Sequence, residues 1–225
     1  MHYHLYTDRM ASIEPIVQRL TEELHANRQV LWLISGGSNI ELETAIMNRL
    51  PETRLANLTI TLMDERYGEF GHADSNFRQL IEAGFDARSA TIVASLPETE
   101  ASFEAAAERF EGLIEEELAK ADVVIGLFGM GPDGHTAGIL PGTPAAEELP
   151  YLTTHYHTDQ YDRLTMTFEG LRQIDVGYLY AFGDNKKTQL EQLHANDTPL
   201  AEQPVQILKE LTEAVVISDQ IGEKE

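Results

Sequence analysis

Short apolar runs alternate with longer amphipathic stretches along this chain. Apolar runs bounded by polar residues are typical of strands buried on both faces of a parallel sheet. Together with one alternating segment at 163–167, they predict strands at 30–34, 58–63, 91–93, 123–128, 176–182 and 214–218. Apolar residues at helical spacing predict helices at 10–27, 40–50, 76–83, 99–119 and 204–211, and we expect 144–161 to be irregular. This order predicts an α/β fold: a single three-layer domain over residues 1–225 with a mostly parallel, Rossmann-like sheet.

The apolar run at 123–128 ends in a loop that carries candidate catalytic side chains. Glycines at 129, 131 and 134 and a proline at 132 leave little room for regular structure, so a loop follows the strand directly. Open α/β sheets bind ligands at the carboxyl ends of their strands. The loop places the carboxylate of Asp133 and the imidazole of His135 at such an end. A histidine titrates near neutral pH, as a general base requires.

Two further loops follow predicted strands, and we expect them at the same edge of the sheet. Residues 35–38, Ser-Gly-Gly-Ser, join a strand to a helix. The N–H groups at a helix N-terminus attract phosphate, although a tight turn that needs small residues would explain the same glycines. Residues 64–66, Asp-Glu-Arg, follow the strand at 58–63, and such a charged triplet is also typical of a solvated loop.

These three loops resemble the signatures of the 6-phosphogluconolactonase family, and their order along the chain also matches. The first is matched over 129–137 and 140–142, the second over 35–38, and the third over 64–66 with 74–76. The related glucosamine-6-phosphate deaminases carry a variant of the first loop. The resemblance covers nearly the whole chain and implies a fold like that of the sugar-phosphate isomerases and deaminases. The chain departs from the family at Asn39 and Ile40, where Thr and Pro are common.

The resemblance implies catalytic roles for three residues in hydrolysis of 6-phospho-D-glucono-1,5-lactone. His135 would be the general base that activates water, and Asp133 would orient the imidazole ring or favour the imidazolium. Arg66 is our candidate for contact with the lactone oxygens. The reaction implied needs no metal and no organic cofactor.

A phosphate site is implied by two more segments that resemble the family. Arg163 begins a segment like the family's Arg-Ile-Thr-Leu-Thr, and Lys186 matches a Gly-x-x-Lys element. Either Lys186 or its neighbour Lys187 could be an ordinary lysine at a helix start. The residues expected to hold the phosphate are Gly36, Gly37, Ser38, Arg163 and Lys186.

Composition narrows the choice of partners. The formal net charge of -22 would repel nucleic acid and anionic membranes, so we expect neither as a partner. The chain has no cysteine, which excludes disulfides and thiolate metal sites. His155 and His157 are spaced like metal ligands, but no third ligand is identifiable, and we interpret them as surface or strand histidines. With no signal-peptide pattern, we expect a cytoplasmic monomer or homodimer whose small-molecule partner is a sugar-phosphate lactone.

Three functions remain open, and the lactonase is the first. A glucosamine-6-phosphate deaminase would usually carry a Glu shortly after the histidine, where this chain has Ile139 and Leu140. The deaminases also usually have an aromatic residue at the position of Arg66. A non-catalytic sugar-phosphate sensor would be expected to lose the base, whereas this chain keeps both His135 and Asp133.

Overall fold

The computed structural model of this chain describes residues 1–69, 71–96 and 102–224, and a parallel sheet of eight strands runs through it. The strands of this part of the chain are β1 (His2–Leu5), β2 (Val30–Ile34), β3 (Leu58–Leu62), β4 (Asp64–Tyr67), β5 (Thr91–Ile92), β6 (Val123–Gly129), β7 (Thr153–His157), β8 (Asp162–Met166), β9 (Val176–Ala181), β10 (Glu213–Ser218) and β11 (Glu223–Lys224). The large sheet has the order β11-β1-β10-β9-β6-β2-β3-β5. The predicted parallel sheet is therefore confirmed. Strand β1 and the edge strand β11 beside it were not predicted, because their segments contain no apolar run.

Helices cover both faces of this sheet. They are α1 (Glu14–His25), α2 (Ile40–Arg49), α3 (Asn76–Glu82), α4 (Phe103–Lys120), α5 (Phe168–Leu171) and α6 (Lys187–Ala195). Leu31 and Leu33 of β2 lie in one hydrophobic cluster with residues of α4 and α6, whereas Trp32 lies in another with residues of α1 and α2. Alternate residues of a strand point to opposite faces, and this produces the three predicted layers. None of the described helices is both long and apolar enough to cross a bilayer.

Helix boundaries differ from the predictions at several ends. The predicted helix at 10–27 begins as a 3-10 turn, Ala11–Ile13, before α1, and the one at 204–211 is a 3-10 helix, Pro204–Glu210. Helix α4 is capped by Ser102, whose hydroxyl oxygen accepts a hydrogen bond from the N–H of Ala105 at 3.2 Å. The predicted start of this helix at residue 99 lies outside the described residues.

A second sheet of three antiparallel strands, in the order β4-β8-β7, corrects one expectation. The segment 144–161 is not irregular throughout, because β7 lies within it and pairs with β8. Polar residues conceal this strand in the sequence: Thr153 and Tyr156 are buried, while His155 and His157 are exposed. The interpretation of these two histidines as surface or strand residues is confirmed.

Candidate active site

Four loops meet at the carboxyl edge of the parallel sheet. They follow β9, β6, β2 and β3, which are consecutive neighbours in the sheet. Every candidate side chain named from the sequence lies in one of these loops or on the small sheet beside them. The candidates are Gly36, Gly37, Ser38, Arg66, Asp133, His135, Arg163 and Lys186.

His135 and Asp133 form a hydrogen-bonded pair in the loop after β6. The Nδ1 atom of His135 lies 2.7 Å from the Oδ1 atom of Asp133, and the backbone N–H of His135 donates to the same oxygen at 3.2 Å. A carboxylate accepts hydrogen bonds, so the neutral ring carries its proton on Nδ1 and presents Nε2 as an acceptor. The side chains are 38% and 47% exposed, respectively, so solvent and small ligands reach them.

Gly131 is the residue that makes room for this pair. A Cβ atom at Gly131 would lie 2.1 Å from Nδ1 of His135 and 2.5 Å from Oδ1 of Asp133. The N–H of Gly131 also donates to the carbonyl oxygen of His135 at 2.9 Å. The turn therefore packs the imidazole directly onto backbone, and this requires glycine for steric reasons.

Burial and nearby charges change the pKa of the His135 imidazole. Burial lowers the pKa of His135 below its ordinary value of 6.5; the Asp133 carboxylate opposes this effect, and the charges of Arg163 and Lys186 add to it. Burial also lowers the pKa of Lys186, against the attraction of Asp133. Burial acts to raise the pKa of Asp133, but its interaction with His135 lowers it overall. His135 is therefore neutral at pH 7, with two cations close by.

Side chains of the small sheet support the rest of this loop. The Thr165 hydroxyl donates to the carbonyl oxygen of Ala137, a non-glycine residue at a φ of 48°, and the Tyr156 hydroxyl donates to that of Gly138. Gly138 has a φ of 75°, and a Cβ atom there would lie 2.6 Å from the Cβ of Asp64. These contacts place the start of β4 against the loop that carries His135.

Arg66 and Arg163 lie opposite each other in the β4–β8 register. The ring of Tyr161 lies 5.3 Å from the Cζ atom of Arg66 and 5.5 Å from that of Arg163. Arg163 Nη1 is 3.8 Å from Asp64 Oδ2, and Arg66 Nη1 donates to the carbonyl oxygen of Asp74 at 2.8 Å. In the part of the chain that the structure describes, neither buried Nε atom has a hydrogen-bond partner. Like charges paired across two strands repel, and an anionic ligand beside the two guanidinium groups would relieve this repulsion.

Asp64 and Glu65 have different surroundings. Burial raises the pKa of Asp64 to about 6, against the attraction of Arg66 and Arg163. Glu65 is fully buried and accepts hydrogen bonds from the N–H of Asn76 at 2.7 Å and the hydroxyl of Ser75 at 3.0 Å. It therefore ties β4 to the start of α3 and has a structural role. Ser75 caps α3.

The loop after β2 has two glycines in the left-handed region, Gly36 at a φ of 69° and Gly37 at 57°. The N–H groups of Ser35 and Gly36 donate to the Oε1 atom of Glu43, at 3.1 and 3.0 Å. Gly37 and Ser38 open the 3-10 turn Gly37–Asn39, whose first N–H groups have no acceptor within the turn. The N–H groups of Gly37 and Ser38 are thus available to a ligand, whereas that of Gly36 already has an acceptor.

The departure at Asn39 and Ile40 does not prevent the helix from starting at Ile40. Asn39 is fully buried, and its amide nitrogen donates to the carbonyl oxygen of Phe128 at 3.1 Å. Arg9 donates to the Oδ1 atom of Asn39 at 3.0 Å and to the carbonyl oxygen of Ser38. These side chains join the loop after β2 to the end of β6 and to the N-terminal segment.

Lys186 and Lys187 are distinguished by their surroundings. Lys186 ends the 3-10 turn Asp184–Lys186, and its charge acts on both Asp133 and His135. Lys187 begins α6 and lies 4.0 Å from Glu191 in an exposed ion pair. Only Lys186 of this pair is therefore placed to contact a ligand beside His135.

Sequence reasoning missed Glu43, Arg9 and Tyr161. Glu43 had a detectable signal, since a carboxyl falls between Ile40 and Ile46 on the apolar face of α2. Arg9 and Tyr161 reach the site through the tertiary fold and have no local signal. Among the described residues, no group of three or more His, Asp or Glu side chains is arranged to hold a metal ion.

Comparisons with known proteins agree with this geometry. The family model described as glucosamine-6-phosphate isomerases/6-phosphogluconolactonase matches residues 9–217. The 6-phosphogluconolactonase of Rhizobium meliloti is 30% identical over 223 residues, which cover 91% of this chain and 92% of the relative. That of Pseudomonas aeruginosa is 34% identical over 137 residues, 59% of this chain and 55% of the relative. The crystal structure of a 6-phosphogluconolactonase from Shewanella baltica superposes with a TM-score of 0.82 at 18% identity, covering 97% of each chain.

Proposed function

Because the chain belongs to the family of glucosamine-6-phosphate isomerases and 6-phosphogluconolactonases, we propose that it hydrolyses 6-phospho-D-glucono-1,5-lactone to 6-phospho-D-gluconate. This is a step of the oxidative pentose phosphate pathway. One observation carries the proposal: the imidazole of His135, hydrogen-bonded to Asp133 at 2.7 Å, lies within the field of Arg163 and Lys186. A base and cations that would suit a phosphate are thus combined at one sheet edge.

In the proposed reaction, Nε2 of His135 takes a proton from a water molecule. The water oxygen then bonds to the lactone carbonyl carbon, and the carbonyl oxygen becomes an oxyanion. The intermediate collapses by breaking the bond between this carbon and the ring oxygen, which receives the proton from the imidazolium. Asp133 stabilises the imidazolium in between, and Arg66 contacts the lactone oxygens.

The phosphate group of the substrate would be held at a distance from this reaction. Arg163 and Lys186 supply positive charge, and the loop after β2 supplies N–H groups from Gly37 and Ser38. Gly36 contributes its conformation, because its own N–H donates to Glu43. No step needs a metal or an organic cofactor. A cytoplasmic location and a monomeric or homodimeric state stay predictions.

One observation favours a second candidate, the isomerisation and deamination of glucosamine 6-phosphate. Asp64 is a buried carboxyl close to Arg163, and its pKa of about 6 would suit an acid–base group that hydrolysis through His135 does not use. Against it, Ile139 is fully buried and Leu140 follows it, so no carboxylate stands shortly after the histidine. We therefore rank the lactonase first.

An assay of the purified protein on freshly generated 6-phosphogluconolactone tests the proposal. We expect hydrolysis well above the spontaneous rate, which is measured in parallel and subtracted, and we expect it to persist in EDTA. A rate equal to the spontaneous one, with ammonia released from glucosamine 6-phosphate, would transfer the assignment to the deaminase. Tight binding of both compounds without turnover would instead indicate a sensor.

A further inference from the structure

Glu43 is a buried carboxyl that the proposed reaction does not use. It lies on α2 with none of its surface exposed to solvent. Its Oε1 atom accepts the hydrogen bonds from the N–H groups of Ser35 and Gly36. Among the described residues, its Oε2 atom has no hydrogen-bond partner. A buried carboxyl of this kind is costly, so its contacts indicate what it stabilises.

The two N–H groups that Glu43 accepts belong to the loop proposed to bind phosphate. Gly36 has a φ of 69° and a ψ of -156°, a backbone conformation open essentially only to glycine. Convergence of two successive N–H groups on one oxygen holds this conformation. It also directs the chain into the turn whose first N–H groups, those of Gly37 and Ser38, are available to a ligand. Without an acceptor at position 43, both bonded N–H groups would be left unsatisfied.

The charges around Glu43 suit an acceptor better than an anion. Asp64 on β4 and Arg9 from the N-terminal segment are the charged groups that act on it from other elements. Burial raises the pKa of Glu43 to about 7, against the two N–H hydrogen bonds, and the Asp64 carboxylate raises it further. A fully ionised carboxylate behind the loop would repel a phosphate group, whereas a neutral acid still offers Oε1 as an acceptor.

We propose that Glu43 is a positioning residue: through Oε1 it holds the loop after β2 in the conformation that binds the substrate phosphate, and it takes no part in the bond-breaking step. This inference rests on the proposed function, because it assigns the phosphate to this loop. It predicts that the affinity for phosphorylated ligands depends on an acceptor at position 43.

Three variants test the inference. Glu43→Leu removes the acceptor at similar volume, Glu43→Gln keeps an acceptor oxygen without a titratable group, and Thr44→Val is the matched control. The hydroxyl of Thr44, the next residue of α2, is buried without a hydrogen-bond partner among the described residues. For the phosphorylated lactone, we expect Glu43→Leu to raise KM by about tenfold or more with kcat within about threefold of wild type. Glu43→Gln and Thr44→Val should stay within about twofold of the wild-type KM.

Direct binding separates this inference from the proposed function. Calorimetry measures binding affinity without turnover. The ligand is 6-phospho-D-gluconate, and D-gluconate is the unphosphorylated control. A wild-type protein that binds the phosphorylated acid but hydrolyses no lactone would refute the function, while the variants would still test Glu43. If Glu43→Leu does not fold, Glu43→Met removes the acceptor with a more flexible side chain.

Two results would overturn the inference. One is a folded Glu43→Leu or Glu43→Met protein that binds 6-phospho-D-gluconate as wild type does. The other is a Glu43→Gln protein that loses as much affinity as Glu43→Leu, because the charge and not the acceptor would then matter. Retained affinity in Glu43→Gln beside its loss in Glu43→Leu supports it.

Discussion

Two pairs of titratable side chains at the sheet edge differ in what they contact. The neutral imidazole of His135 and the carboxylate of Asp133 share a 2.7 Å hydrogen bond and lie in a glycine-rich loop. Arg66 and Arg163 face each other across two strands, and both have a buried Nε atom with no partner among the described residues. A base that is hydrogen-bonded to a carboxylate is suited to move a proton, whereas two facing cations that act on one buried carboxyl, Asp64, are suited to bind an anion. The first pair would therefore move the proton and the second would bind the substrate's oxygens, and each role can be tested.

Replacing His135 should have the largest effect. His135→Asn can keep a hydrogen bond to Asp133 but cannot take a proton from water. We expect kcat to fall by about two to four orders of magnitude, the usual contribution of a positioned base, with binding of 6-phospho-D-gluconate unchanged. Steady-state kinetics with spontaneous hydrolysis subtracted measures this. A folded variant with near wild-type kcat would leave Asp133 or Asp64 as the base.

Removing a cation should weaken binding and leave the chemistry largely intact. Arg163→Ala and Lys186→Ala each lose a charge-assisted contact to phosphate worth about 1.5–3 kcal/mol. We expect KM to rise for the phosphorylated lactone and to change little for unphosphorylated D-glucono-1,5-lactone. Lys187→Ala is the matched control, because Lys187 lies in an exposed ion pair with Glu191. If neither variant differs from this control, the phosphate binds elsewhere.

The pH dependence should reveal how far the first pair is coupled to the second. Protonated His135 cannot accept a proton, so kcat/KM should fall as the pH drops through its pKa, which lies below 6.5. Asp133 favours the charged ring, so Asp133→Asn should move this acid limb to lower pH. Arg163→Ala removes a charge that disfavours the charged ring and should move it to higher pH. Shifts in the same direction for both variants would contradict this picture of the site.

The sequence predicts the parallel sheet and the three loops well, because both depend on local pattern. Strand β2 is a continuous apolar run, and Asp133 and His135 follow β6 directly. What it could not predict depends on distant parts of the chain. Arg9 reaches Asn39 across 30 positions, and the pairing of β7 with β8 is concealed by polar residues. The resemblance to a family located the candidate residues, but the Glu43 contacts needed the fold.

The smallest effect should come from Ser75, which belongs to a segment that resembles a family signature but lies in the scaffold that joins β4 to α3. Its hydroxyl oxygen accepts a hydrogen bond from the N–H of Arg78 at 3.1 Å and its proton is donated to Glu65 at 3.0 Å. Ser75→Ala removes the cap of α3 and one donor from the buried Glu65 carboxylate. The free energy of unfolding should fall by about 0.5–2 kcal/mol, as for other lost helix caps, measured by urea denaturation. Both kcat and KM should remain near wild type, because Glu65 keeps the N–H donors of Asn76 and Phe77. A large loss of activity at unchanged stability would show instead that Ser75 acts in the active site and is not only structural.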